Sequence, residues 1–298
     1  MNRTNGIIPK LYLLFGLLLI LLGTSGCFRK ATPYSFFVAG HTYGVKEKAV
    51  SGMHMPFVAD FPYLTAYPDL QFGVLTGDIV YYSRDTSWNA VDQQLADVPV
   101  PVYFAVGNHD EGHKSPYKER YGDTYFAFEQ GRDLCLVLNP GLGGWNIWRD
   151  QYAFLEAQLG NAKKYDHVFI FFHQLLWWTK DNQYRRYSPN SLDGRTPETN
   201  FWTEVMPLLE ACDKPVYCFA GDVGAAGKPT RFFADQVDNV HFIASGMGNG
   251  IQDNYLFVQV DPEQGVRVMV RMLQQEQDFQ VFPATTEMPI GASTYRQR

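Results

Sequence analysis

The chain has 298 residues, which is enough for one sizeable domain or two small ones. Its hydrophobic content of 46% and charged content of 19% are typical of a globular protein and exclude a disordered chain. The net charge of −6 and the lack of a Lys/Arg cluster argue against nucleic acid as the main partner, so no nucleic-acid binding is expected.

The first 27 residues have the organisation of a secretion signal. Arg3 and Lys10 form a positive region, an apolar run extends from Leu11 to Leu22, and small residues lead to Cys27. The apolar run is too short for a typical membrane span. The Ser-Gly-Cys ending resembles a bacterial lipoprotein signal, in which the cysteine becomes the lipidated first residue. An uncleaved N-terminal anchor is the alternative, and both place the globular part outside the cytoplasm, tethered to a membrane of the cell envelope.

Cysteine usage leaves one question open. Cys135, Cys212 and Cys218 follow the signal and are odd in number, so at most one disulfide can form among them. Cys135 and Cys218 lie inside apolar strand patterns, where a free cysteine is commonly a small core residue. A Cys212–Cys218 bridge remains possible at this stage.

From about Pro33 onward, apolar strand patterns alternate with helical ones. Apolar and aromatic stripes at helical spacing predict three helices, near 85–95, 148–159 and 202–209. Runs of β-branched and aromatic residues predict strands at 36–39, 72–76, 102–106, 134–138, 168–172, 216–220, 240–244, 255–260 and 266–272. The last two strands are predicted to form a hairpin.

This order predicts an α/β sandwich of two sheets in a single domain over residues 33–285, followed by a tail at 286–298. Two long insertions, about 139–147 and 177–198, are aromatic and polar and are expected to frame a substrate pocket.

Five of the predicted strands end in residues that can bind a metal or move a proton. The endings are Gly40-His41, Gly77-Asp78, Gly107-Asn108-His109-Asp110, His173 and Gly221-Asp222. Ligands collect just beyond the carboxyl ends of strands in parallel sheets. The sequence therefore predicts a functional site where these ends meet.

In their order along the chain, these motifs resemble the calcineurin-like metallophosphoesterases. That family has Asp-x-His, Gly-Asp, Gly-Asn-His-Asp/Glu, a lone His and Gly-His-x-His, and the resemblance spans about residues 36–224. It implies a four-layer α/β/β/α sandwich and a two-metal hydrolase of phosphoester bonds. In such a site two cations about 3.5–4 Å apart share a carboxylate, activate a water and neutralise a phosphate.

The resemblance also implies a role for each matching residue. Asp78 corresponds to the carboxylate that bridges the two metals. Asn108 and His173 correspond to ligands of the second metal, and His41 corresponds to a ligand of the first. His109 corresponds to the side chain that stabilises the transition state or protonates the leaving oxygen, a task suited to an imidazole because it changes charge near neutral pH.

The neighbour of His109 has two interpretations. Asp110 either orients the His109 side chain or is a plain turn carboxylate.

The chain departs from the family pattern at two positions. Ala39 stands where the family has the Asp of Asp-x-His, and Gly224 stands where it has the last His of Gly-His-x-His. Asp222 replaces the first His of that motif and can still bind a metal through its carboxylate. The predicted ligands that remain are Asp78, Asn108, His173, Asp222 and His41. Because the first-metal shell keeps only two of them, we expect one tightly bound divalent ion, of Mn, Fe, Zn or Mg.

Two functions are consistent with these residues. The first is a metal-dependent hydrolase of a phosphomonoester or phosphodiester outside the cytoplasm, with a phosphorylated substrate of unknown class. The alternative is a catalytically inactive relative that binds a ligand or partner through the aromatic insertions, which include Trp145, Trp148, Trp177 and Trp178. The intact Gly-Asn-His-Asp favours the enzyme, because a binding module has no need for His109 beside Asn108. The two missing ligands favour the alternative.

Overall fold

The structure is a computed structural model that describes residues 32–45, 52–112 and 114–282. The predicted secretion signal at 1–27 and the predicted tail at 286–298 lie outside the described residues. Within the described ranges, no helix combines the length and the apolar character needed to cross a bilayer.

The described strands form two six-stranded sheets. The first has the order β12-β11-β10-β1-β2-β3 and the second the order β4-β5-β6-β7-β9-β8. In the first, β1, β2 and β3 are parallel; in the second, β5, β6, β7 and β9 are parallel. The strands are β1 (Tyr34–Ala39), β2 (Leu70–Thr76), β3 (Val102–Ala105), β4 (Phe126–Gln130), β5 (Asp133–Val137), β6 (Val168–Phe172), β7 (Val216–Ala220), β8 (Phe232–Val237), β9 (Val240–Ser245), β10 (Asn254–Asp261), β11 (Gly265–Met272) and β12 (Gln277–Phe282).

Alternating side chains of β1 show how the layers are held together. Phe36 points between the sheets, where its ring lies 5.1 Å from that of Phe169 in an edge-to-face contact. Phe37 points the other way and meets Phe57 of a helix, with ring centroids 6.3 Å apart. Because successive residues of a strand point to opposite faces, a strand that is apolar on both must be covered on both.

Helices cover the outer face of each sheet. One apolar cluster joins the first sheet to α1 (Met55–Ala59), α2 (Phe61–Thr65), α3 (Asp85–Leu95) and α4 (Tyr117–Tyr121). Another joins the second sheet to α5 (Arg149–Gly160) and to a π-helical turn, Phe201–Val205, that continues into α6 (Met206–Ala211). A third apolar cluster lies between the sheets. The four-layer α/β/β/α prediction is therefore confirmed.

The three predicted helices and nine predicted strands are all present, with ends shifted by a few residues. The hairpin is confirmed by the antiparallel pairing of β10 with β11. Three strands were not predicted: β4, β8 and β12. Each is an edge strand with polar residues on part of its surface, so it lacks the continuous apolar run that marks the central strands. Trp148, predicted within the second helix, instead precedes α5 and is 47% exposed.

The cysteine question is settled within the described part of the chain. Cys135, Cys212 and Cys218 are all free and buried, so no Cys212–Cys218 bridge forms. Cys212 and Cys218 belong to the apolar cluster that covers the second sheet. These thiols act as small core side chains.

Candidate active site

The carboxyl ends of the central strands meet at one end of the sandwich, because Gly221 lets the two sheets touch there. A Cβ atom on Gly221 would lie 1.9 Å from the carbonyl oxygen of Thr76 in β2. No residue with a side chain fits at such a distance. This close approach brings together His41, Asp78, His173 and Asp222, which we call the four-residue cluster.

The four-residue cluster is buried. Its side chains form a row in which each lies within 4 Å of the next. His173 Nε2 is 3.3 Å from Asp78 Oδ1 and 3.7 Å from Asp222 Oδ1. His41 Nε2 is 3.9 Å from the other oxygen, Asp78 Oδ2. Asp78 thus lies between the two histidines, with one carboxylate oxygen toward each.

Both histidines are oriented by backbone carbonyl groups. His173 Nδ1 donates to Thr76 O at 2.9 Å, and His41 Nδ1 donates to Met247 O at 2.7 Å. A carbonyl oxygen can only accept, so in each neutral ring the proton is on Nδ1 and the Nε2 lone pair faces the carboxylates. The same arrangement commonly orients histidines that bind metals.

Several polar atoms of the four-residue cluster have no hydrogen-bond partner although they are buried. They are His173 Nε2 and both carboxylate oxygens of Asp222. A buried polar atom without a partner is costly, so such atoms usually have a function or bind something. A cation that displaces the protons of His173 and Asp222 would satisfy all three, because each atom then offers a lone pair.

The electrostatics show what the cluster holds when no metal is bound. Burial by itself lowers the pKa of His173, but Asp78 and Asp222 outweigh it and raise the pKa to about 10. Burial raises the pKa of Asp222 to about 8 and lowers that of His41 to about 4. Burial also opposes ionisation of Asp78, yet His173 and His41 keep its pKa below the usual range. Protons on His173 and Asp222 therefore stand where a cation would bind, and the two compete.

The donor set fits a divalent metal. Two imidazole nitrogens and two carboxylates suit Zn, Mn or Fe. Two ligand atoms about 2.0–2.2 Å from a tetrahedral ion are roughly 3.4 Å apart, close to the separations within the four-residue cluster. As the side chains stand, no three His, Cys, Asp or Glu residues in the described ranges are arranged to hold one ion together. An ion held by three of these side chains would therefore require them to move.

The two positions that lack a ligand are both buried. Ala39 is fully buried in the apolar cluster between the first sheet and its helices. Gly224 has a φ of +93°, and a Cβ atom there would lie 2.5 Å from the carbonyl carbon of Gly246 and 2.6 Å from Met247 N. The backbone of the neighbouring loop thus excludes any side chain at position 224.

The loop after β3 carries the two remaining predicted residues. Asn108 is exposed and lines two cavities of about 300 Å³ each. The His109 backbone N–H donates to Asp78 Oδ1 at 3.2 Å, so the loop is joined directly to the cluster. His109 Nδ1 donates to Tyr81 O at 2.9 Å, which leaves Nε2 as the atom that can exchange a proton.

Asp110 has a role that neither interpretation included. Its fully buried carboxylate accepts from the backbone N–H groups of Ile79 at 2.8 Å, Val80 at 3.1 Å and Gly107 at 2.8 Å. Asp110 therefore joins the loop that carries Asp78 to the loop that carries Asn108, while Tyr81 O holds the His109 ring.

Arg84 lines the cavity beside His109, and no sequence motif indicated this. It lines the same cavity as Asn108 and His109, and its guanidinium lies 4.7 Å from the centre of the Tyr82 ring. An arginine there can attract an anionic substrate. The one sequence feature that could have indicated Arg84 is its position in the loop that starts with Gly77-Asp78.

The two long insertions pack against each other. The Arg195 guanidinium lies 5.7 Å from the Trp145 ring and 5.5 Å from the Trp178 ring, which joins the two segments. Trp177 is fully buried among core aromatics, and Trp145 and Trp178 are also buried. Only Trp148, of the four tryptophans expected to bind a partner, is exposed. The insertions therefore use most of their aromatic surface inside the fold.

A sequence comparison identifies a family. Residues 64–221, more than half of the chain, match the calcineurin-like phosphoesterase family. Asp78, Asn108, His109 and His173 lie within the matched range, Asp222 lies one residue after it, and His41 lies 23 residues before it.

Two vertebrate proteins are similar over a shorter stretch. The serine/threonine-protein phosphatase CPPED1 of Danio rerio is 30% identical over 128 residues, which are 36% of this chain and 41% of that protein. The Mus musculus protein of the same name is 28% identical over 130 residues, 36% of this chain and 40% of that protein. The similarity thus spans about two fifths of the length of these relatives.

A solved structure is similar in fold. The purple acid phosphatase from yellow lupin (Lupinus luteus) seeds superposes with a TM-score of 0.60 at 12% identity, covering 84% of this chain and 53% of that one. At this identity the likeness concerns the fold alone.

Proposed function

Because the chain belongs to the calcineurin-like phosphoesterase family, we propose that it is a metal-dependent hydrolase of phosphoester bonds whose reduced, mononuclear centre is the four-residue cluster. The observation that carries the proposal is the pair of buried Asp222 carboxylate oxygens, which have no hydrogen-bond partner and lie beside His173. A fold-only relative would have no reason to keep them, since each unpaired buried atom destabilises the protein.

The residues of the chain divide the work. Asp78, His173 and Asp222 would hold the ion, His41 would approach it beside Asp78 Oδ2, and Asn108 would add its amide oxygen from the adjoining loop. A divalent ion bound there supplies charge neutralisation of the phosphate and activation of a water.

His109 and Arg84 supply the remaining chemistry. With Nδ1 held by Tyr81 O, a protonated His109 can donate from Nε2 to the leaving oxygen. Arg84 lines the same cavity and favours a phosphate there. The relatives are named as protein phosphatases and the structural neighbour as an acid phosphatase, so a phosphomonoester is the first substrate class to test and a phosphodiester the second.

The test is turnover by protein that has been stripped with a chelator and reloaded with Mn²⁺, Zn²⁺, Fe²⁺ or Mg²⁺. p-Nitrophenyl phosphate and bis(p-nitrophenyl) phosphate separate monoesterase from diesterase activity. We expect hydrolysis that needs the metal. Absence of hydrolysis with every metal, or hydrolysis that a chelator leaves untouched, would refute the proposed function.

Two variants separate metal binding from proton transfer. Asp78→Ala should lose both bound metal and activity, whereas His109→Ala should keep its metal and lose activity by about 10²–10⁴-fold, the usual value of general acid help. His241→Ala is the matched control. His241 lies at the start of β9, where its ring stacks on Tyr217, and it does not belong to the four-residue cluster. Equal turnover by wild type and His109→Ala would rule out the role of His109.

We also propose that the protein is anchored to a membrane through lipidated Cys27, with its globular part outside the cytoplasm. This proposal rests on the sequence of residues 1–27, which lie outside the described ranges. Cys27→Ser is expected to release or mislocalise the protein in cell fractionation. A Cys27→Ser protein that stays in the membrane fraction after signal cleavage would contradict the anchor.

A further inference from the structure

A cavity of about 300 Å³ lies beside the four-residue cluster, between the loop after β3 and the two insertions. Asn108 stands at its edge, and Gln174, the residue after His173, forms part of its wall. The other residues that matter are Glu111, Asn139, Trp145 and Asp193. Asn108 also lines the cavity of His109 and Arg84, so a group attached to a phosphate held there can extend past Asn108 into this space.

Asn139 presents a buried oxygen that accepts no hydrogen bond. Its side-chain nitrogen donates to Glu111 Oε2 at 2.7 Å and to Thr124 Oγ1 at 3.1 Å. Because a carboxylate only accepts, these bonds fix which end of the amide is nitrogen. Asn139 is 1% exposed, and its Oδ1 has no donor.

Gln174 presents a second oxygen of this kind on the neighbouring wall. It is 3% exposed, and its Oε1 is buried without a donor. The carboxylates of Glu111 and Asp193 add further acceptors, and no Lys or Arg is among the residues that line the cavity. The cavity is therefore rich in acceptors, and it is electrostatically unfavourable for an anion.

Gly141 leaves space beside the two amides. A Cβ atom at this position would lie 3.0 Å from Asn139 Oδ1 and 3.7 Å from Gln174 Nε2. The backbone of Gly141 is not in the left-handed region, so an alanine is allowed there without backbone strain. Gly141→Ala would thus crowd the amides without disturbing the loop.

We propose that this cavity binds the alcohol portion of the phosphoester, and that this alcohol carries hydroxyl or primary ammonium groups and no second negative charge. Such donors would satisfy the oxygens of Asn139 and Gln174, while Trp145 supplies an apolar wall. A site built to bond a donor disfavours an analogue that lacks it, because its buried acceptors then stay unpaired. The inference rests on the proposed function, since it concerns the substrate of that centre.

The kinetic test compares substrates within each variant. Glucose 6-phosphate supplies hydroxyls, ethanolamine phosphate an ammonium, fructose 1,6-bisphosphate a second anion, and p-nitrophenyl phosphate no donor. For the preferred donor-bearing ester, kcat/KM relative to p-nitrophenyl phosphate should fall about tenfold in Gln174→Met and in Gly141→Ala, the value of one hydrogen bond. Two matched controls should keep the wild-type ratio: Gln93→Met, on the exposed face of α3, and Gly160→Ala, where a Cβ meets open space.

A binding measurement decides the inference even if no ester is hydrolysed. In a titration of the whole protein with free glucose, glycerol or ethanolamine, the NMR signals of the Asn139 and Gln174 side-chain amides should shift saturably with at least one ligand. The ligand that causes the shift distinguishes recognition of hydroxyl groups from recognition of ammonium groups. Gly141→Ala should abolish the shift. Unchanged ratios in both variants, a preference for the bisphosphate, or no amide shift with any alcohol would overturn the inference. Absence of turnover with intact amide shifts would refute only the proposed function.

Discussion

The buried carboxylate of Asp110 holds the candidate centre together, and its removal should be costly. It accepts three backbone N–H groups, from Ile79, Val80 and Gly107, and it is fully buried. In Asp110→Ala all three donors lose their acceptor in a space that is closed to water.

The size of the effect follows from these contacts. Each buried donor left unpaired costs about 1–3 kcal/mol, so three cost about 3–9 kcal/mol. Part is regained, because burial and the nearby Asp78 raise the pKa of Asp110 to about 7, which shows that the ionised carboxylate is itself held at a cost. We therefore expect a net loss of about 3 kcal/mol, near the low end of that range. At about 2–4 °C per kcal/mol for a domain of this size, Tm should fall by about 6–12 °C.

The assay is thermal or urea unfolding of Asp110→Ala beside Asp123→Ala, an exposed aspartate in the loop before β4. Metal affinity should fall together with stability, since Asp110 positions the loops of Asp78 and Asn108. A loss below about 1 kcal/mol, equal to that of Asp123→Ala, would show that the three bonds do not hold the loops.

Two further predictions concern the centre itself. Gly224→His should unfold at a lower temperature than Gly227→His and bind no additional metal. Both positions have positive φ, but only at position 224 would a Cβ atom meet neighbouring backbone. An extra tightly bound ion in Gly224→His would contradict this prediction. For metal-free protein, Tm should fall from pH 7 to pH 9. His173 and Asp222 have folded pKa values of about 10 and about 8, above their unfolded values, so the stability they contribute is lost as pH rises through this range. Saturating Mn²⁺ should remove much of this fall. If Tm of the metal-free protein rises from pH 7 to pH 9, the raised pKa values of His173 and Asp222 are contradicted.

The central strands were predictable because each is a continuous run of apolar residues in the sequence. Runs such as 168–172 are apolar at every position, since these strands are covered on both faces. The edge strands β4, β8 and β12 were missed because they contain polar positions and are defined by pairing with a neighbouring strand. For example, Asp235 and Gln236 lie within β8, which is specified by pairing with β9.

The candidate site was predictable as a set of residues but not as an arrangement. Short motifs identify His41, Asp78, His173 and Asp222, and the parallel sheets bring them to one end. The function of Asp110 was hidden, because two of its three partners are thirty residues away in another loop. Gln174 belongs to no sequence motif. Its proposed role in binding depends on an unpaired side-chain oxygen, which can be identified only from the packing around it.

The most direct test of the account is metal binding to the four-residue cluster, measured by equilibrium dialysis with elemental analysis. We expect about one tightly held divalent ion per chain, lost in His173→Ala and weakened in Asp222→Asn, with His241→Ala and Asp123→Ala unchanged. Two tightly held ions would mean that a ligand outside this set completes a second site. No bound ion at millimolar Mn²⁺ or Zn²⁺, or an ion that His173→Ala retains at full affinity, would contradict the assignment of the centre.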